Sequence, residues 1–246
     1  MRFLILSDIH ANWEALTAVW HDAAARHYEA VICLGDIVGY GPNPNEVTDW
    51  VRAHADVVIR GNHDRACSGA TAFDSFNSAA QCSSRWTRAE LFDEHTNWLL
   101  NLDRGPVLVE HFDVVHGAPD DEDRYIVHEH EAEAGLRHAS EQLTFFGHTH
   151  MQGGFVGEPY RRSFEVTRLH TLPNRITIVP DRRYLLNPGA VGQPRDGDAR
   201  AAYCIYDSAL RVVEFCRVDY DIRTVQEKIL AAGLPEELAF RLASGD

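Results

Sequence analysis

The chain has 246 residues, 45% hydrophobic and 24% charged, the make-up of a soluble globular protein with room for one sizeable core. Its formal net charge of −14 argues against a nucleic-acid backbone or an anionic membrane as the natural partner surface. The first apolar run, 3–6, is too short for a signal peptide, and no segment approaches the roughly 20 apolar residues of a membrane span, so a cytoplasmic location is expected.

Residues 3–7 read as a buried strand, and Asp8-Ile9-His10 follows at once. Asn12 caps a predicted helix over 13–27, with Leu16, Val19, Trp20 and Ala23 on one face. A second strand at 31–35 runs into Gly35-Asp36. A shorter helix at 46–54 follows Pro44, and a third strand at 57–61 runs into Asn62-His63-Asp64. This β-α-β-α-β opening predicts parallel strands with right-handed crossovers. Residues 64–110 break the alternation. They read as a helical insertion beside the site mouth, with Phe73, Phe76, Trp86, Leu91, Phe92, Trp98 and Leu99 as its large apolar residues. Strands at 112–116 and 143–146 end in His116-Gly117 and Gly147-His148-Thr149-His150.

From residue 153 the pattern changes to strands joined by hairpin turns, at 153–156, 162–172, 175–179, 183–186, 201–206 and 211–218. Turns are expected at 172–175 and 207–209. Asp221 caps a helix to Ala232 that Gly233 closes, and Pro235 opens another short one. Nothing marks a linker, so 1–246 is expected to form a single domain. The five cysteines, Cys33, Cys67, Cys82, Cys204 and Cys216, are odd in number and include no Cys-x-x-Cys, which fits free thiols in a reducing cytoplasm.

Five strand-like runs thus end in seven side chains of metal-ligand type: Asp8, His10, Asp36, Asn62, His116, His148 and His150. In a chain with 14 His and 37 acidic residues, any one pair is uninformative; the joint placement is not. A strand sends residues i and i+2 to one face, and strands ending side by side gather them at the edge where α/β proteins bind ligands. The mixed nitrogen and oxygen set, without thiolate, suits Mn, Fe, Co, Ni or Zn better than Ca.

These blocks resemble the complete signature of the calcineurin-like metallophosphoesterase superfamily, in the family's order from residue 8 to residue 150. The resemblance is greatest to its small bacterial and archaeal phosphoesterases, and the stretches 35–42 and 187–195 add to it. It implies an α/β fold, a four-layer α/β/β/α sandwich. It implies two divalent transition-metal ions, manganese first, with Fe, Zn, Co or Ni as alternatives. Asp8, His10 and His150 hold one ion; Asn62, His116 and His148 hold the other; Asp36 bridges. The expected activity is hydrolysis of a small-molecule phosphoester through a metal-bridging hydroxide. Phosphodiesters or dinucleotide and pyrophosphate-type substrates come first. A phosphomonoesterase and a non-catalytic metal-binding scaffold of the same fold are the alternatives. The intact ligand set and His63 favour an enzyme.

His63 is the expected general acid, turned away from the metals by strand parity opposite to Asn62, with Asp64 orienting its ring. Arg60, Arg65 and Arg195 are candidate phosphate binders, with ion pairing the competing reading for the first two. The 187–195 loop either lends backbone N–H groups to a phosphate or is a tight connection. The Tyr40–Pro44 stretch either lines a pocket or is a rigid turn. Residues 120–123 read as a solvated acidic loop, and His128, His130 and His138 as surface helix residues. Phe73, Phe76 and Trp86 are candidates for a stacking wall.

Overall fold

The computed structural model describes residues 1–169 and 174–246. Its strands are β1 (Arg2–Leu6), β2 (Ala30–Cys33), β3 (Val57–Val58), β4 (Val107–Val109), β5 (Phe112–Val115), β6 (Leu143–Phe146), β7 (Gly153–Tyr160), β8 (Ser163–Arg168), β9 (Arg175–Thr177), β10 (Arg183–Asn187), β11 (Ala201–Asp207) and β12 (Val212–Val218). Its helices are α1 (Trp13–Ala24), α2 (Pro44–His54), α3 (Asn62–Ser68), α4 (Ser78–Glu90), α5 (Asp93–Leu100), α6 (Glu129–His138), α7 (Ile222–Ala231) and α8 (Glu236–Phe240).

The strands form two mixed sheets, ordered β3-β2-β1-β11-β12-β9 and β4-β5-β6-β10-β7-β8. Each holds three parallel strands: β1, β2 and β3 in one, β5, β6 and β10 in the other. The pleat of β1 explains the layering. Phe3 and Ile5 pack with Phe112, Phe145 and Tyr206 between the sheets, while Leu4 and Leu6 pack outward against Leu16 and Val19 of α1. On the far side, Ala132 and Leu136 of α6 cover Phe146 and Leu185. The result is the expected four-layer α/β/β/α sandwich. Each fully buried Leu, Ile or Phe in these layers contributes about 1.5–3 kcal/mol.

Asn12 and Asp221 cap their helices as expected, accepting from Ala15 N at 3.1 Å and Thr224 N at 3.0 Å. Two expectations fail locally. The strand at 57–61 keeps only two residues, because Arg60 N bonds Asp103 O and Gly61 becomes the N-cap of α3. The 64–110 segment is mostly helical as far as Leu100, with 69–77 in turns, but 107–109 is a strand paired antiparallel with β5. Its Val-Leu-Val run is too short to show a period. The expected strand at 162–172 is present as β8 to Arg168; residues 170–172, and 172–173 of the expected turn, lie outside the described residues.

Candidate metal centre

Loops leaving β1, β2, β5 and β6, with the first turn of α3, meet where the two sheets open. The strand pleat does not aim these side chains. Asp8, His10, Asp36, His148 and His150 have φ of 53°, 48°, 51°, 66° and 60°, in the left-handed region. Non-glycine residues rarely adopt it, and it marks strain held by the surrounding bonds. Those bonds run between loops: Asp8 N to Gly35 O at 3.0 Å, His10 N to Asp36 O at 2.9 Å and Gly147 N to His116 O at 2.8 Å. Two glycines are required by close approach. A Cβ on Gly61 would sit 2.1 Å from Asp36 Oδ1, and one on Gly147 2.0 Å from Ser7 Oγ.

All seven expected ligand residues converge. Asp36 Oδ2 lies 3.6 Å from His10 Nε2 and 3.4 Å from His116 Nε2. On the first side His10 Nε2 is 3.1 Å from His150 Nε2, which is 3.4 Å from Asp8 Oδ1. On the second, His116 Nε2 is 3.2 Å from Asn62 Oδ1, and His148 joins Asp36 and His116 within 4.8 Å. The four imidazoles share a feature. One ring nitrogen of each is tied to a backbone carbonyl: His10 Nδ1 to Val38 at 3.0 Å, His116 Nδ1 to Leu34 at 2.8 Å, His150 Nδ1 to Gln193 at 2.6 Å, and His148 Nε2 to Asp123 at 3.1 Å. Such a bond makes that nitrogen the donor and leaves the other as a lone pair, the tautomer a metal ligand needs.

The residues fit a pair of cations on a second count. Asp8 Oδ1 is buried without a hydrogen-bond partner, and two imidazole lone pairs converge at 3.1 Å; both are costly unless a cation lies between them. Burial holds His10, His148 and His150 below the usual imidazole range, His148 at about 3. Burial also pushes the Asp8 carboxyl up to about 7. For Asp36 and His116 burial is outweighed by their mutual attraction, which keeps Asp36 ionised and raises His116.

His63 sits beside this cluster, packed between Tyr40, at a ring distance of 4.4 Å, and Phe76, at 4.5 Å. It lies on the first turn of α3 and not on a strand, so helical geometry separates it from Asn62. Its Nδ1 faces Ser84 Oγ at 3.4 Å. Asp64 does not orient its ring as expected. That carboxylate accepts from Ile37 N, Val38 N and Gly61 N at 2.9–3.2 Å and so fastens the Asp36 loop to α3.

Arg60 and Arg65 take the ion-pair reading. Arg60 holds Glu122 through two bonds of 3.0 and 2.8 Å; Arg65 lies 3.5 Å from Glu122 and bonds Asp123. Within the acidic run only Glu122 is buried and acts as an anchor; Asp120, Asp121 and Asp123 are exposed, as expected of a solvated loop. Arg195 differs: it has no carboxylate partner among the described residues, and its Nε is buried without a bond. Its Nη2 lies 3.1 Å from Gln193 Oε1 and 3.4 Å from the Tyr40 hydroxyl. Of the aromatic trio, only Phe76 reaches the site; Phe73 lies under Arg88 and Trp86 packs with the C-terminal helices. The sequence reading missed Ser84 and Tyr125, and it took Glu122 as part of a solvated loop. Tyr125 stacks on His148 at 3.9 Å, and only its nearness to the acidic run hinted at it.

The sequence model of the calcineurin-like phosphoesterase superfamily domain matches residues 1–209. The uncharacterized protein MJ0912 of Methanocaldococcus jannaschii is 35% identical over 98% of this chain and 97% of its own. Among solved structures, a metallophosphoesterase from Sphaerobacter thermophilus is 38% identical, with a TM-score of 0.84 over 100% of this chain and 99% of its own. The hypothetical protein PH1004 of Pyrococcus horikoshii OT3 shares the fold at 22% identity, with a TM-score of 0.78 over 100% of this chain and 98% of its own.

Proposed function

The chain belongs to the calcineurin-like phosphoesterase superfamily, and from that premise we propose that it is a two-metal hydrolase that takes phosphodiesters ahead of monoesters. The observation that carries the reading is the set of four carbonyl-tethered imidazoles around Asp36. Asp8, His10, Asp36 and His150 would hold one ion, and Asp36, Asn62, His116 and His148 the other. Bound there, divalent cations neutralise phosphoryl charge and bring a water molecule toward ionisation at neutral pH. Manganese is the ion we favour, on the nitrogen and oxygen donor set.

The chain's own residues supply the rest. Arg195, with no carboxylate to satisfy it, binds a phosphoryl oxygen. Arg60 and Arg65 are committed to Glu122 and Asp123, so one guanidinium is left for substrate. A monoester brings one more negative charge than a diester, which favours the diester. His63 protonates the leaving oxygen through Nε2, the nitrogen not facing Ser84. Burial lowers its pKa to about 4, so the ring is neutral until an anionic phosphoryl group favours the imidazolium, as Asp36 already does. Closure by Phe76 and Tyr40 keeps water from that ring.

No described helix is long and apolar enough to cross a membrane. All five cysteines are unpaired, four of them buried, which supports a reducing cytoplasmic setting. The test of the whole reading is reconstitution. Protein stripped with chelator and reloaded with Mn should approach two equivalents and hydrolyse bis-p-nitrophenyl phosphate faster than the monoester. Asp36→Asn should lose most of both. Full metal retention in that variant would remove the bridging assignment.

A further inference from the structure

A cavity of about 330 Å³ opens beside the centre, with Asn62 and His148 on one side and Thr71, Ser75, Phe76 and Tyr125 around it. Its aromatic walls are fixed to the site. Phe76 stacks on His63 with planes 29° apart, and Tyr125 on His148 with planes 19° apart. Tyr125 is nonetheless 45% exposed, a large ring left part-uncovered at the mouth. The two charged side chains of the cavity, Arg65 and Asp123, bond each other. What remains for a ligand is aromatic surface and the hydroxyls of Thr71 and Ser75, which suit a planar, uncharged group with polar edges. The volume is at the lower end of the roughly 300–1,000 Å³ range of ligand pockets, enough for one ring system and not two nucleosides side by side.

We propose that this cavity holds the leaving group of the ester, and that the leaving group carries a single planar heteroaromatic ring of nucleobase size, stacked against Tyr125 and Phe76. The inference rests on the phosphoesterase reading above. Cations hold the phosphoryl group whatever it is esterified to, so substrate choice comes from contacts to the organic part. Phe76, which lines the cavity, stacks on His63, so the cavity adjoins the ring that protonates the leaving oxygen. In the step, water oxygen bonds to phosphorus and gives up one proton to solvent, the bond from phosphorus to the sugar oxygen breaks, and that oxygen takes a proton from the His63 imidazolium, which regains one from solvent after the product leaves.

The test compares the methyl diesters of adenosine 5′-monophosphate and ribose 5-phosphate on Mn-loaded protein. Both offer the same primary alcohol; only one has a base. The adenosine ester should have a kcat/KM larger by about tenfold or more, the typical worth of one stacked base. Its products should be adenosine and methyl phosphate. Tyr125→Leu should bring the ratio of the two esters toward one, and because the ratio is taken within each variant, a general loss of activity cancels. A wild-type ratio near one, or a ratio that Tyr125→Leu leaves unchanged, overturns the cavity's role. Release of adenosine 5′-monophosphate and methanol overturns the leaving-group assignment. If neither ester reacts, the phosphoesterase reading fails separately, and calorimetry with adenosine and ribose still decides the cavity. Adenosine binding that Tyr125→Leu weakens about tenfold supports it; no adenosine binding at millimolar concentration overturns it.

Discussion

His63 and Asp64 show how neighbouring residues divide two tasks. The His63 ring faces the Ser84 hydroxyl through one nitrogen and hydrogen-bonds no metal ligand, while every oxygen of Asp64 is committed to backbone amides. His63 can therefore be changed without removing a member of the metal cluster. In His63→Gln, metal content should stay near wild type while turnover falls about 10²–10⁴-fold, the range for a lost general acid. The fall should shrink for p-nitrophenyl esters, whose leaving group needs no proton. Kinetics on a series of leaving groups reads this directly. An equal loss across the series would make His63 a phosphate ligand and not an acid.

Elements position these residues through loops, and the loops are where the sequence was least readable. The strands at β1, β2, β5 and β6 were legible because each is a short apolar run ending in a polar chemical motif. The seven ligand-type residues were legible for the same reason. Their aim was not, because it depends on left-handed backbone at Asp8, Asp36 and His148 that the pleat rule cannot anticipate. β4 and the placement of Tyr125 were illegible because both are set by tertiary pairing. The 118–125 loop is the clearest case. Glu122 is 8% exposed and gathers Arg60 at 2.8 Å, Arg65 at 3.5 Å and Arg104 at 3.7 Å; the next residue, Asp123, offers the carbonyl that holds His148. In Glu122→Gln one charge is lost opposite three guanidinium groups. The loop should loosen and the His148 side of the centre should bind its metal about tenfold more weakly or worse, as partners one step behind metal ligands do. Titration calorimetry with Mn should then show one weakened and one retained site. Two unaltered sites would make the Glu122 cluster a fastening with no bearing on the centre.

At the scale of the molecule, the centre sits where two six-stranded mixed sheets, each with three parallel strands, open together, so it joins both halves of the fold. Without cations, that junction is a set of buried titratable groups, and their shifts set the acid stability of the metal-free protein. Burial holds His10, His63, His148 and His150 below the usual 6.5. Between about pH 6.5 and 4 the unfolded chain therefore binds protons on these rings that the fold does not accept. Asp8 and Asp64, raised to about 7 by burial, act in the opposite direction, binding protons in the fold that the unfolded chain lacks. Four groups outweigh two, so the unfolded state binds more protons and stability falls as pH falls through this window. The ceiling is about 2.7 kcal/mol per pH unit for two net protons. Above pH 6.5 the sign reverses. His116, raised by Asp36, keeps its proton in the fold after the unfolded chain has lost it, so stability is lost again as pH climbs toward about 10. Urea midpoints measured in chelator should accordingly peak near neutrality and drop on both sides. A midpoint that climbs steadily from pH 6.5 to pH 4.5 would show that His10, His63, His148 and His150 are not neutral in the metal-free fold, and with that the case for lone pairs on His10, His148 and His150 waiting on cations would fall.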